Sequence, residues 1–135
     1  MLKVWGRRNS INVMKVLWTC DELALPFERI DAGLQFGVID TPEYAALNPD
    51  RKIPAIDDDG FRLAESNTIV RYLAAREGRT DLLPTDARQR ARVEQWMDWA
   101  SFSLSGGMAP LFKQLVRTAE ADRDPALIAA SQAES

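Results

Sequence analysis

Histidine is absent from all 135 residues, and cysteine occurs once, at Cys20. The first absence excludes Ser-His catalysis, His-ligated zinc and histidine general bases. The second excludes an internal disulfide and any cysteine-cluster metal site, so no metal is expected, and it fits a reducing compartment. No apolar run approaches the roughly 20 residues needed to span a bilayer. The opening Met1-Leu2-Lys3-Val4-Trp5-Gly6-Arg7 lacks the apolar centre of a secretory signal. Neither sign of charge dominates: 17 basic and 20 acidic residues leave a net −3, which gives no electrostatic reason to expect nucleic acid or an anionic membrane as partner. A soluble chain is expected, located in the cytoplasm. With 46% hydrophobic residues a core is available, and the length allows one domain, or one small domain plus part of another.

What is present is organised around Arg51-Lys52-Ile53-Pro54-Ala55-Ile56, the acidic turn Asp57-Asp58-Asp59-Gly60, and Phe61 to Val70. Two short apolar runs flanking an acidic turn that ends in Gly predict a β-hairpin. Ser66 stands where a helix N-cap is expected, with Ile69, Val70 and Leu73 as the apolar stripe behind it. A strand feeding a helix in this way exposes unpaired N–H groups suited to a carboxylate or phosphate. Pro54 lies where a ladder N–H would be needed. It marks either an edge strand or strand start, or a cis peptide that turns the Ile53 backbone outward toward a peptide-like ligand.

Along the rest of the chain, Leu2 to Gly6 reads as a strand and Arg7 to Asn12 as a polar loop. Val13, Val16, Leu17, Cys20 and Ala24 recur at helical spacing until Pro26 ends the helix. Phe27 to Ala32 reads as a second strand, so a parallel pair with a crossover helix is expected. Thr41-Pro42-Glu43 marks a helix start, with Tyr44 and Leu47 facing in. The order β-α-β-α-β-β-α predicts a thioredoxin-like α/β layer over residues 1–78, followed by a linker at 79–85 and a helical segment over 86–135. In that segment Asp86 and Gln89 match a capping box. Val93, Met97, Ala100, Leu104, Met108, Leu111 and Leu115 then step along one long helix, with Trp96 and Trp99 widening the stripe. Gly106, Gly107 and Pro110 should bend it, and a short helix should start at Pro125.

Three pieces of this sequence together carry a resemblance: Asn9-Ser10-Ile11-Asn12-Val13, Ile53-Pro54, and Glu65-Ser66-Asn67-Thr68-Ile69-Val70-Arg71-Tyr72-Leu73, with Leu82-Leu83-Pro84 ahead of a long helix. They resemble the glutathione transferase superfamily. The first loop is most similar to bacterial members related to the theta, zeta and beta classes, which use Ser, Asn or Cys at the thiol. The resemblance implies a thioredoxin-like domain followed by the first part of an all-helical domain. It also implies glutathione as co-substrate, a small electrophile as second substrate, a homodimer and a role in detoxification.

Residue by residue, Ser10 matches the family's catalytic Ser. Its hydroxyl can donate to the glutathione sulfur beside a helix N-terminus that favours the anion; read as structure alone, it caps the helix. Asn12 competes for the thiol contact from the same first turn. The resemblance assigns Glu65 to the γ-glutamyl ammonium and Ser66 to the γ-glutamyl carboxylate, and Lys52 to the glycyl end. Ile53 and Pro54 form the ligand-facing backbone. As structure alone, Glu65 and Lys52 are solvated charges. Cys20 falls in phase with the core residues of its helix and reads as a small core side chain rather than a redox thiol.

The departure from the family is length: its members carry several more helices beyond the position of Ser135. The chain is therefore expected to be a truncation, a domain or a naturally short relative. Two other readings accompany the transferase: a non-catalytic binding protein on the same fold, and a glutathione-dependent disulfide reductase.

Overall fold

A computed structural model gives the structure of residues 1–134. The chain divides into two compact units, Met1–Pro84 and Thr85–Ser135. The first unit contains β1 (Leu2–Trp5), α1 (Ile11–Glu22), β2 (Phe27–Ile30), α2 (Pro42–Leu47), β3 (Ala55–Asp58), β4 (Phe61–Ala64) and α3 (Ser66–Arg76), with a 3-10 turn at Leu34–Phe36. The strands form one mixed sheet in the order β2-β1-β3-β4. β1 runs parallel to β2, as the crossover helix between them requires, and antiparallel to β3. The unit is thioredoxin-like, as the order of elements predicts.

Alternation along the strands sorts the core into two layers. Leu2, Val4 and Ile56 point to one face and pack with Val16 and Cys20 of α1 and with Ile69 and Leu73 of α3. Ala55 points to the other and packs with Tyr44 of α2 and Ala32; Trp5, Leu47 and Ile53 border them. Fully burying a side chain such as Ile56 or Leu73 contributes roughly 1.5–3 kcal/mol. The hairpin closes with two residues, Asp59 and Gly60, both at positive φ (50° and 95°), and Gly60 N–H donates to Oδ1 of Asp57 at 2.7 Å.

Two helix starts differ from expectation. α1 begins at Ile11, two residues before the first periodic apolar residue, with Ser10 at the N-cap. α3 begins at Ser66 itself, and Glu65 occupies the cap position. Segment 79–84, expected as linker, folds with the first unit: Leu83 is buried, Leu83 N–H donates to Arg79 O, and the Arg79 guanidinium reaches Glu22 O at 2.9 Å and pairs with Asp81.

The second unit opens with α4 (Ala87–Trp99), where Asp86 accepts from Gln89 N–H at 3.0 Å. The long helix continues through a π-helical segment (Ala100–Leu104), α5 (Ser105–Phe112) and a second π-helical segment (Lys113–Arg117); α6 is Pro125–Glu134. The irregularities flank the Gly106, Gly107 and Pro110 run, where the i→i+4 ladder is weakest. Trp96 and Trp99 meet edge to face at 5.7 Å, and both are exposed, as are Phe102, Leu104 and Met108. Among the described residues no helix is long and apolar enough to cross a membrane.

Candidate functional site

The sheet register brings three separate stretches to one end of the first unit. Trp5 pairs with Ala55, and Ala55 pairs with Ala64. Beyond those three residues lie the loop to Ser10, the peptide at Pro54, and Glu65. Each leaves the sheet at the same edge, so residues far apart in sequence become neighbours.

At the first of these, Gly6 has φ 153°, and a Cβ there would stand 2.4 Å from Cγ2 of Val13. That close approach lets the loop fold onto α1. Ser10 caps through its backbone: its carbonyl accepts from Met14 N–H at 2.8 Å. Its half-buried hydroxyl makes no cap hydrogen bond, so the side chain is not consumed in holding the helix. Asn12, exposed in the same first turn, accepts from the Ser66 hydroxyl at 3.4 Å.

At the second, the Ile53–Pro54 peptide is cis, and Pro54 is buried directly ahead of β3. The strand is central, so the proline sits at its start, where no ladder donor is lost. The preceding carbonyl, Lys52 O, accepts two hydrogen bonds, from Tyr44 Oη at 2.7 Å and Asn48 Nδ2 at 2.8 Å. Both donors are buried, and burial pushes the Tyr44 phenol up to about 12, keeping it a proton donor at neutral pH. Asn48 also accepts from Asp50 N–H at 3.1 Å and Arg51 N–H at 3.0 Å. The loop into Lys52 is therefore held by a polar cluster while the Lys52 side chain is exposed.

At the third, Glu65 has φ 68° and ψ 110°, a conformation costly for a residue with a Cβ, of order 1–3 kcal/mol. It places an exposed carboxylate at the α3 N-terminus without forming a side-chain cap. Ser66 is buried behind it. One turn along α1 from Asn12, Lys15 donates to Asn67 Oδ1 at 3.0 Å. Burial lowers the Lys15 pKa, partly offset by the charge of Glu65. Cys20 lies in the core away from this edge, and burial, with Asp21 adding to it, pushes its thiol up to about 11.

The sequence and fold that carry this cis-proline loop and these two helix starts match known proteins. Residues 1–75 match the family model for the glutathione S-transferase N-terminal domain. The chain belongs to the glutathione S-transferase family. It is 46% identical over 133 residues to glutathione S-transferase GstB of Escherichia coli K12, covering 97% of this chain and 64% of that protein. It is 38% identical over 118 residues to glutathione S-transferase 3 of Zea mays, covering 85% of this chain and 52% of the maize protein. In structure it is similar to the theta class glutathione S-transferase from Xanthomonas axonopodis pv. citri with glutathione bound, with a TM-score of 0.94 and 45% identity over 99% of this chain and 64% of that one. The chain thus spans less than two thirds of the length of these bacterial relatives.

Of the residues singled out from the sequence, Asn12 and Ser66 are in direct contact. Ser10, Lys52, Ile53, Pro54 and Glu65 share the same sheet edge. Sequence reading alone passed over Lys15 and the Tyr44–Asn48 clamp on Lys52. The Asn12-to-Lys15 spacing of three residues, which puts both on one face of α1, was the available signal for Lys15. Nothing local points to the clamp, because both of its side chains bond a carbonyl rather than each other.

Proposed function

We propose that this glutathione S-transferase family member activates the glutathione thiol for attack on a small electrophile. The single observation that carries this reading is the convergence of Ser10, cis Pro54 and Glu65 at one sheet edge. Glu65 accepts from the γ-glutamyl ammonium. Ser66 and the α3 N-terminus donate to the γ-glutamyl carboxylate. The Ile53 backbone pairs with the cysteinyl backbone, and Lys52 meets the glycyl carboxylate. Ser10 or Asn12 donates to the sulfur, which favours thiolate, and the α1 N-terminus adds to that preference. The thiol proton leaves to solvent, an S–C bond forms, and the leaving group departs from the electrophile. The chain positions and polarises without itself forming a covalent bond. Cys20, the one cysteine of this chain, takes no part, since it is buried and poorly ionised. This disfavours a disulfide-exchange mechanism through a protein cysteine.

The exposed aromatic residues Trp96, Trp99 and Phe102 support a homodimer that covers part of this surface, because a patch of that kind on a monomer invites association. A cytoplasmic location is part of the same reading.

Retention on immobilised glutathione, followed by conjugation of 1-chloro-2,4-dinitrobenzene with release of chloride, tests the reading. Specific elution with free glutathione and saturable conjugation are the expected results. Failure to bind glutathione would overturn it. Binding without conjugation, or with turnover of hydroxyethyl disulfide alone, would replace it with the binding-protein or reductase alternative.

A further inference from the structure

Lys15 is the one cation of α1 that turns back toward α3 while half-buried. A lysine with no task keeps its ammonium in water, because ordering the long side chain and stripping its hydration are both unfavourable. Here the ammonium donates to Asn67 Oδ1 at 3.0 Å, across 52 positions of sequence, and lies in the field of the Glu65 carboxylate. Asn67 is the second residue of α3, directly after Ser66, and Lys15 follows Asn12 by one turn of α1. The neighbouring tie between the two helices, Ser66 to Asn12, is long at 3.4 Å. The charge-assisted bond is thus the stronger of the two.

We propose that Lys15 is a positioning residue of the glutathione site: by holding Asn67 it fixes the opening turn of α3, and with it Glu65 and Ser66, against the α1 start that carries Ser10 and Asn12. The proposal rests on the glutathione reading given above. A tripeptide that reaches from the thiol donors to Glu65 is sensitive to the offset between the two helix starts. A ligand spanning both ends loses affinity when that offset is free to vary.

The experiment is calorimetric binding of glutathione to the full chain as wild type, Lys15→Met, Lys15→Arg, Asn67→Ala and the Lys15→Met/Asn67→Ala pair, with a thermal melt for each. Lys15→Met should weaken glutathione binding by up to roughly tenfold, since the bond is already made in the free protein and only its pre-ordering of the α3 start reaches the affinity. Lys15→Arg should restore it, since a guanidinium can also donate to Asn67. Asn67→Ala should lose a similar factor, and the double variant should be no worse than either single one, the signature of one shared contact. The thiolate absorbance of the saturated complex should titrate at the same pH in Lys15→Met as in wild type, because Ser10 and Asn12 are untouched. Wild-type binding with Lys15→Met within twofold of it would overturn the proposal, as would additive losses in the double variant. Should Lys15→Met fail to fold, Asn67→Ala against wild type decides on the same twofold criterion. Absence of glutathione binding by the wild type would instead overturn the functional reading, and the positioning role with it.

Discussion

The Ser66 hydroxyl donates to Oδ1 of Asn12 at 3.4 Å, joining residues 54 positions apart at the mouths of two helices. On the reading proposed above, Asn12 belongs to the end of the site that meets sulfur and Ser66 to the end that meets the γ-glutamyl group. Their adjacency puts both ends within the reach of one tripeptide.

Thiol activation and ligand affinity should separate by mutation. Ser10→Ala or Asn12→Ala, whichever removes the sulfur contact, should raise the pKa of bound glutathione by about one to two units while changing its affinity little. Glu65→Ala and Ser66→Ala should do the reverse. Thiolate absorbance of the complex against pH checks this, and both Ser10→Ala and Asn12→Ala titrating like wild type would leave only backbone donors as activators.

The clamp on Lys52 should matter without touching ligand. Tyr44→Phe removes one of the two donors to Lys52 O and should cost roughly 0.5–1.5 kcal/mol of stability. Asn48→Ala should cost more, since the Asn48 side chain also accepts from Asp50 N–H. Both should weaken glutathione binding through a looser Lys52–Ile53 loop. Urea unfolding gives the first quantity and calorimetry the second; an unchanged affinity in both variants would remove the loop from the site.

Cys20 should behave as a core residue. A thiol pushed up to about 11 holds only about three thousandths of the thiolate of a free one at ~8.5, and its burial blocks access as well. An aromatic disulfide reagent should therefore react with the native protein only as it unfolds, and Cys20→Ala should retain glutathione conjugation. Rapid stoichiometric labelling of the folded chain would contradict this.

The α3–hairpin junction should set the acid limit of the first unit. Burial alone would raise the Asp58 pKa, but hydrogen bonds from Tyr72 Oη at 2.6 Å and from Arg76 outweigh it and hold the carboxyl below its ordinary value. A folded-state pKa below the unfolded one stabilises the protein above the unfolded value. That contribution is lost as pH falls through the folded one. Asp58→Asn should lower stability at neutral pH and flatten its dependence below about pH 4. Denaturant midpoints measured from neutral to acid would show parallel curves if Asp58 contributes nothing.

The order of elements, the hairpin and the inward faces of α1 and α3 were legible in the sequence, though the turn read as Asp57 to Gly60 closes with Asp59 and Gly60 alone because Asp57 and Asp58 pair in β3. Each depends on local chemistry: backbone freedom at a turn, apolar spacing along a helix, a proline that stops one. Ser10 and Pro54 have local signatures, a capping residue type and a proline in an apolar run, whereas Glu65 reads locally as a solvated charge and was singled out only by the family resemblance. Tertiary structure decided how they are used. That Glu65 rather than Ser66 takes the cap position follows from where β4 must stop once Ala64 is paired with Ala55. The Lys15–Asn67 contact joins helices whose separation only the folded sheet determines, and the Tyr44–Asn48 clamp depends on how the loop into Lys52 turns back onto α2. Periodicity reports which face of a helix is buried, but not which polar atom on its margin finds a partner; that depends on the register of the strands beneath.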